Sequence, residues 1–512
     1  MKKIFIGGGI AIGVVAIVVA CGGGGSGSSG DPIFIAKGTV VQNVTVVNTR
    51  DGSLSSGMNV IVDDGKIANV TTRSVKASGT AAEVDGSGKY MVPGFNDMHT
   101  HSMAVVDAPQ TFWPQMLANG ITGIREMGGS AALITRAHQL NADSLAGKVN
   151  APEVLQIPGT IYAANPPAAA DAVTFLKTQK AAGADFFKMT AGTRDAVLAI
   201  LAEAKSEGFG VAGHLAPAVS ALDSSNNGWT VFEHLGAGWG LILDCSTDEA
   251  AIRAAVTTGG QAAQPPFPAT FVTNPRIYDG AINAQFYQRM IDTYSDAKCQ
   301  AVADAFVRNG TWQATTLIRL RTQDYGNDPV YTADPNLVYI DKTTRALWAS
   351  LAQQYTTNLS PAAIATLRNF YELQKKVTKM MKQRGVKMLA GSDVTGQWVL
   401  PGFGLHQEFR ELAAAGLSPL EILQMTTLNA AEFLGRSATM GTVETGKNGD
   451  LVLLDDNPVA SVANLDKVSG LFLKGRYFSK AALDKMKADT AANYAAQSLN
   501  PLLTALDPLH VD

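Results

Sequence analysis

Short apolar runs alternate along this chain with longer stretches whose apolar residues recur at helical spacing. DFFKMT (185–190), GVAGHLA (210–216), TVFEHLG (230–236) and KMLAGSD (387–393) read as buried strands. Between two of them, TRDAVLAILAEAKSEG (193–208) has the spacing of an amphipathic helix that stops at a glycine. Strands alternating with helices predict parallel βα units. Three segments near the two ends follow a different pattern. GTVVQNVTVV (38–47), MNVIVDDGKIANV (58–70) and DLVLLDDNP (450–458) alternate apolar and polar residues, as half-buried strands do.

The candidate chemistry sits where the apolar runs end. VPGFNDMHTHS (92–102) closes on His99 and His101, and residues i and i+2 of a strand share a side, so both imidazoles are expected to face one cavity. Lys188, His214, His234 and Asp393 close the four runs named above. A (β/α)8 barrel of about 250 residues spends roughly 30 on each strand and helix. On that measure about three units separate His101 from Lys188, about one separates Lys188 from His214, and about one more leads to His234. The six residues therefore fall at the ends of strands 1, 4, 5, 6 and 8, the face from which barrel enzymes project their catalytic groups.

Each residue alone has a structural reading. Lys188 would be a surface lysine, Asp393 a helix N-cap, and a lone histidine a hydrogen-bonded core residue, as His138 and His510 are read here. In order and at unit spacing, the six together read as a metal site. From His234 to Asp393 roughly 100 residues are surplus to two units. They are assigned to insertions at 237–310 and 319–362, flanking a seventh strand at GTWQATTLI (310–318). Trp239, Tyr278, Tyr287, Tyr325 and Tyr331 in these insertions are expected to form a small core there rather than a substrate pocket.

These motifs resemble the amidohydrolase superfamily, and within it the imidazolonepropionase-like and prolidase-like branch. The resemblance runs from about residue 37 to 478. It rests on VPGFNDMHTH, ITGIREMGG, GADFFKM, VAGHLAP, FEHLG, LAGSD and the closing LSPLEILQMTTLNAAEFLG…GTVETGKNGDLVLLDDNP. It implies an α/β fold: a TIM barrel over 91–437 with a small β-sandwich built from 37–90 and 438–478. It also implies two divalent cations. His99, His101 and Asp393 would hold the more buried ion, His214 and His234 the more exposed one, and Lys188, carbamylated by CO2, would bridge them. An ammonium has no lone pair, so only the anionic carbamate suits that place. Zn is the first candidate for imidazole and oxygen ligands, with Mn, Co or Fe open. The implied reaction is hydrolysis of a carbon–nitrogen bond by a hydroxide held between the ions, with Asp393 moving its proton to the leaving nitrogen.

The substrate is less defined. His406 in LPGFGLHQE, Arg319 after strand 7 and Tyr162 after strand 3 are the substrate-binding candidates, and a cavity-facing Arg319 would favour dipeptides or N-acyl amino acids. A lactonase or phosphotriesterase would use the same centre. A non-catalytic binding lipoprotein is the alternative outside enzymes, and its hallmark would be a lost ligand.

At 512 residues and 46% apolar content the chain can bury a large core, and a net charge of −3 without a basic run beyond Lys2 and Lys3 gives nothing to hold nucleic acid. MKK precedes an apolar run over 4–20 and then Cys21, a lipoprotein signal (1–21) with Cys21 acylated, followed by a Gly/Ser tether over 22–36. This predicts an exported, lipid-anchored protein at the periplasmic face of a bacterial outer membrane, where Cys245 and Cys299 form either a disulfide or two free buried thiols. Residues 479–512 are read as a helical tail.

Overall fold

The computed structural model describes residues 31–163, 168–257 and 269–497. Its centre is a set of parallel strands: β1 (Phe95–Thr100), β2 (Ile121–Glu126), β3 (Glu153–Gln156), β4 (Phe186–Met189), β5 (Gly210–Gly213), β6 (Val231–Glu233), β7 (Trp312–Ala314) and β8 (Met388–Leu389). They form a three-stranded sheet in the order β3-β2-β1 and a five-stranded sheet running from β4 to β8 in sequence. Backbone hydrogen bonds also link the edges of the two sheets. Tyr162 N donates to Lys188 O and Thr190 N to Tyr162 O, each at 2.9 Å, while His101 N reaches Val394 O at 2.8 Å and Met98 N reaches Ala390 O at 2.9 Å. Met98, Met127, Leu155, Phe186, Ala212, Val231, Ala314 and Leu389 converge on one apolar cluster, with a residue from or next to every strand. That cluster is the floor beneath the carboxyl ends of the strands.

Helices shield the outer face. The stretch expected to be helical forms α1 (Arg194–Ser206), where the Thr193 hydroxyl accepts from Ala196 N at the start. Gly208, at φ 60°, lies just past its end in the left-handed conformation that glycine adopts without penalty. Ala196, Val197, Ile200, Leu201 and Ala204 are its buried stripe, and the larger of these side chains each contribute about 1.5–3 kcal/mol by leaving water. The closing LSPLEIL opens a helix at Pro419 with a capping box between Ser418 and Glu421.

The alternating segments form one mixed sheet of eight strands. Thr39–Val47, Leu54–Asp63, Lys66–Thr71, Ala82–Asp85 and Tyr90–Pro93 join Leu451–Leu454, Val468–Leu473 and Arg476–Ser479, so the two ends of the chain share a sheet. Ile33–Ile35 pairs in parallel with Val75–Ala77 and packs on Val40 and Ile61. Part of the segment expected as a tether over 22–36 is therefore a strand, because Ile33 and Ile35 find an apolar surface to cover. The acylation site expected at Cys21 lies outside the described residues, as does the tail beyond residue 497. Lys480–Ala496 is a helix.

The described parts of the two segments expected as insertions, 237–310 and 319–362, are mainly helical. Trp239, Tyr287 and Tyr331 are buried, with Trp239 packed on Tyr287 and Tyr287 on Phe370, so these aromatics serve as an internal core. Cys245 and Cys299 are joined by a disulfide inside the first insertion. Among the described residues, no helix is long and apolar enough to cross a membrane.

Candidate metal centre

Four of the six predicted ligands meet around one carboxylate. Asp393 Oδ1 lies 3.3 Å from both His99 Nε2 and His101 Nε2, and Oδ2 lies 3.7 Å from His234 Nε2. Ligand atoms of His99, His234 and Asp393 all fall within 4.8 Å of one another. The His214 ring stands 5.1 Å from that of His234, centroid to centroid. Lys188 is buried on β4, and its ammonium makes no hydrogen bond or ion pair among the described residues.

Local backbone explains these positions. Gly213, just before His214, has φ 136°, and a Cβ there would lie 1.8 Å from Met189 O, so only glycine lets β5 approach β4 this closely. In GSD, a Cβ on Gly391 would press to 2.7 Å from His99 Cβ. His234, Thr316 and Asp393, just past the ends of β6, β7 and β8, have φ of 55°, 42° and 56°. Non-glycine residues in this region cost of order 1–3 kcal/mol each and persist where their surroundings over-determine them.

Burial and neighbours set the charges. Burial pulls the Lys188 ammonium down to about 8, against the upward pull of Glu233 and Asp393. Burial, helped by Lys188, takes His214 down to about 3, and His234 is also held well below the usual imidazole range. Both rings are therefore neutral at pH 7, with lone pairs to offer. Burial would raise Asp393, but His99, with hydrogen bonding from the His101 and His99 rings, holds it well below the usual carboxylate range.

Three further residues tune the cluster. Glu233 Oε2 accepts from His99 Nδ1 at 2.7 Å, and its Oε1 accepts from Arg125 Nη1 at 2.9 Å, all of them fully buried. Thr316 Oγ1 is hydrogen-bonded to His234 Nδ1. With Nδ1–H of His99 donated to Glu233, its Nε2 is left to face Asp393 Oδ1 at 3.3 Å, and this buried atom makes no well-formed hydrogen bond. An orphaned imidazole nitrogen facing a carboxylate and a second imidazole fits a cation. FEHLG and IRE carried Glu233 and Arg125 in plain view. Strand alternation placed Glu233 and His234 on opposite sides, and the positive φ at His234 turns both inward.

The substrate candidates divide. Arg319 reaches the site: its Nε donates to Asp393 Oδ2 at 3.1 Å, Nη1 donates to Thr273 O at 2.7 Å, and Nη2 donates to Val272 O. His406 does not. It is buried, with Nε2 2.8 Å from Asn119 O and Nδ1 2.9 Å from Asp466 Oδ1. Its ring packs on Phe95 and Phe409, at the amino end of β1 and so opposite the cluster. Tyr162 contributes its backbone to the β3–β4 link, while its ring packs against Phe175 and Phe187, away from the Lys188 side of β4. Position in the sequence gave no sign of which way these two side chains turn.

Residues 358–477 match the model of the amidohydrolase family. Curated relatives match over short stretches. N-acetylglucosamine-6-phosphate deacetylase of Lysinibacillus sphaericus is 40% identical over 68 residues, covering 13% of this chain and 16% of that protein. Imidazolonepropionase of Shouchella clausii is 49% identical over 39 residues, covering 8% of this chain and 9% of that protein. The matched stretches thus span less than a fifth of these relatives' length. Among solved structures, a bottromycin amidohydrolase superposes with a TM-score of 0.65 at 18% identity, covering 92% of this chain and 93% of its own. A Xaa-Pro dipeptidase with bound methionine gives 0.58 at 16%, covering 86% and 100%. A prolidase complexed with N-methylphosphonate-L-proline gives 0.57 at 19%, covering 86% and 99%. Residues 358–477 are thus similar to the amidohydrolase family, and the chain as a whole shares its α/β fold with solved amidohydrolases.

Proposed function

We propose that this protein is a metal-dependent hydrolase that cleaves an amide or peptide bond in a small substrate, on a (β/α)8 barrel flanked by a small β domain. The observation that carries this reading is the convergence of His99, His101, His234 and Asp393, with His214 and Lys188 beside them. His99, His101 and Asp393 would hold one divalent cation and His214 and His234 another, Zn first among candidates, with Lys188 as its carbamate between them. A buried amine brought down to about 8 has an appreciable free-base fraction at neutral pH, which reaction with CO2 needs. Bound cations would lower the pKa of a water molecule and polarise the substrate carbonyl.

The chain's own groups do the rest. Asp393 takes the proton of the attacking water on a carboxylate oxygen and passes it to the leaving nitrogen, whose basicity draws it off. Glu233 holds the His99 ring in one tautomer. Arg319 orients Asp393, and a substrate carboxylate bound on its side of the site would suit dipeptides or N-acyl amino acids. The dipeptidase and prolidase among the similar structures support the same class. The test is to measure cation content and then screen for turnover of dipeptides, N-acyl amino acids, lactones and phosphotriesters. Release of amine from the first two classes is expected. Turnover confined to esters or phosphates would overturn the amide reading, and no turnover at full cation content would favour a binding protein.

The segment 1–36 supports export and a lipid anchor at Cys21, on the periplasmic face of the outer membrane. Labelling with a radioactive fatty acid should mark the native chain and not Cys21→Ser.

A further inference from the structure

Glu408 is completely buried on the helix Phe403–Ala414, a short way past Asp393 in sequence, and sequence reading gave it no role. Its carboxyl group grips the segment after β7 from both sides of one residue. Oε1 pairs with Thr315 Oγ1 at 3.1 Å, Oε2 accepts from Ile318 N at 2.7 Å, and Leu317 N also donates to it. The residue enclosed by these contacts is Thr316, whose φ of 42° and ψ of 50° are left-handed. A β-branched side chain is a steric outlier there. Such a conformation needs an external hold, and the Glu408 grip supplies one.

The hold has a use. Thr316 Oγ1 is the hydrogen-bond partner of His234 Nδ1. With Nδ1–H donated to that hydroxyl, the opposite nitrogen, Nε2, keeps its lone pair and points towards Asp393, 3.7 Å from Oδ2. An extended or right-handed Thr316 would carry the hydroxyl elsewhere and leave the tautomer of His234 unset.

We propose that Glu408 is a positioning residue for the metal centre, acting through the left-handed Thr316 to fix the ring and tautomer of His234. The proposal rests on the reading of His234 as a cation ligand and adds to it a control from the outer helix layer. Hydrogen-bond partners of this kind are worth about 10–100-fold in cation affinity.

The test uses the full chain in detergent, with zinc affinity measured by competition against a chromophoric chelator and folding checked by circular dichroism. Glu408→Gln keeps an acceptor for Ile318 N and a partner for Thr315, and is expected to bind both ions as the native chain does. Glu408→Leu keeps the bulk and removes the acceptors, and should weaken one of the two ions by about tenfold or more while the other stays unchanged. Thr316→Ala should show the same loss, and the double variant no further loss, because the two residues act in series. Glu408→Asp, too short to span both contacts, gives a milder version should the leucine variant not fold, with an intermediate loss expected. Native affinity for both ions in folded Glu408→Leu or Glu408→Asp would overturn the proposal, as would additive losses in the double variant. A native chain that binds no zinc would instead sink the metal reading itself, so the two failures are distinguishable.

Discussion

His99 Nδ1 lies 2.7 Å from Glu233 Oε2, so the first histidine of the His-x-His pair is oriented by a carboxylate from a strand that follows it by more than a hundred residues. Glu233 is itself drawn down to about 2, burial being outweighed by Arg125 and His99. Glu233→Gln should therefore act twice. Cation affinity is expected to fall about 10–100-fold, and stability by about 3–5 kcal/mol, because Arg125 is left buried without its counter-charge. Chelator competition and chemical denaturation separate the two effects.

Arg319 joins Asp393 to the backbone of Val272 and Thr273 in the first insertion. Arg319→Lys keeps the charge and loses the planar fork, and is expected to behave like Arg319→Met. In both variants kcat should drop by about tenfold or more at little change in KM, since the group acts on Asp393. A rise in KM alone would show that Arg319 serves the substrate carboxylate instead.

Burial raises the Glu408 carboxyl to about 8. Between an unfolded value of about 4.5 and about 8 the folded chain holds a proton that the unfolded chain has released, so this group's contribution to stability falls as pH rises through that window. Glu408→Gln cannot titrate. Its denaturation midpoint should decline less between pH 5 and 8 than that of the native chain, as urea titrations at several pH values would show.

The Cys245–Cys299 bridge closes a loop with a sequence separation of 54. Replacing both cysteines by serine should cost about 2–4 kcal/mol, mainly by releasing the unfolded chain. Thermal unfolding of the native chain with and without reductant should show the same loss, and the serine variant should be indifferent to reductant.

Where the sequence was informative, the reason is physical. His99, Lys188, His214, His234 and Asp393 each end an apolar run, and parallel strands carry their chemistry at one end. The helix over Arg194–Ser206 announced itself by its stripe and its glycine stop. Glu233 was hidden because strand alternation fails where His234 turns to positive φ. Glu408 was hidden because its partners Thr315 and Ile318 lie some ninety residues away, and no local pattern encodes that contact. His406 misled because the helix it opens faces the amino end of β1, a direction set by packing on Phe95 and Phe409.

The left-handed backbones at His234, Thr316 and Asp393 bear on any attempt to make this protein sturdier. Glycine at Thr316 would relax the main chain and should raise the melting temperature of the cation-free protein, yet it deletes the hydroxyl beside His234. Robustness and ion capture therefore pull in opposite directions at that position, and a screen for heat resistance alone would select against the centre.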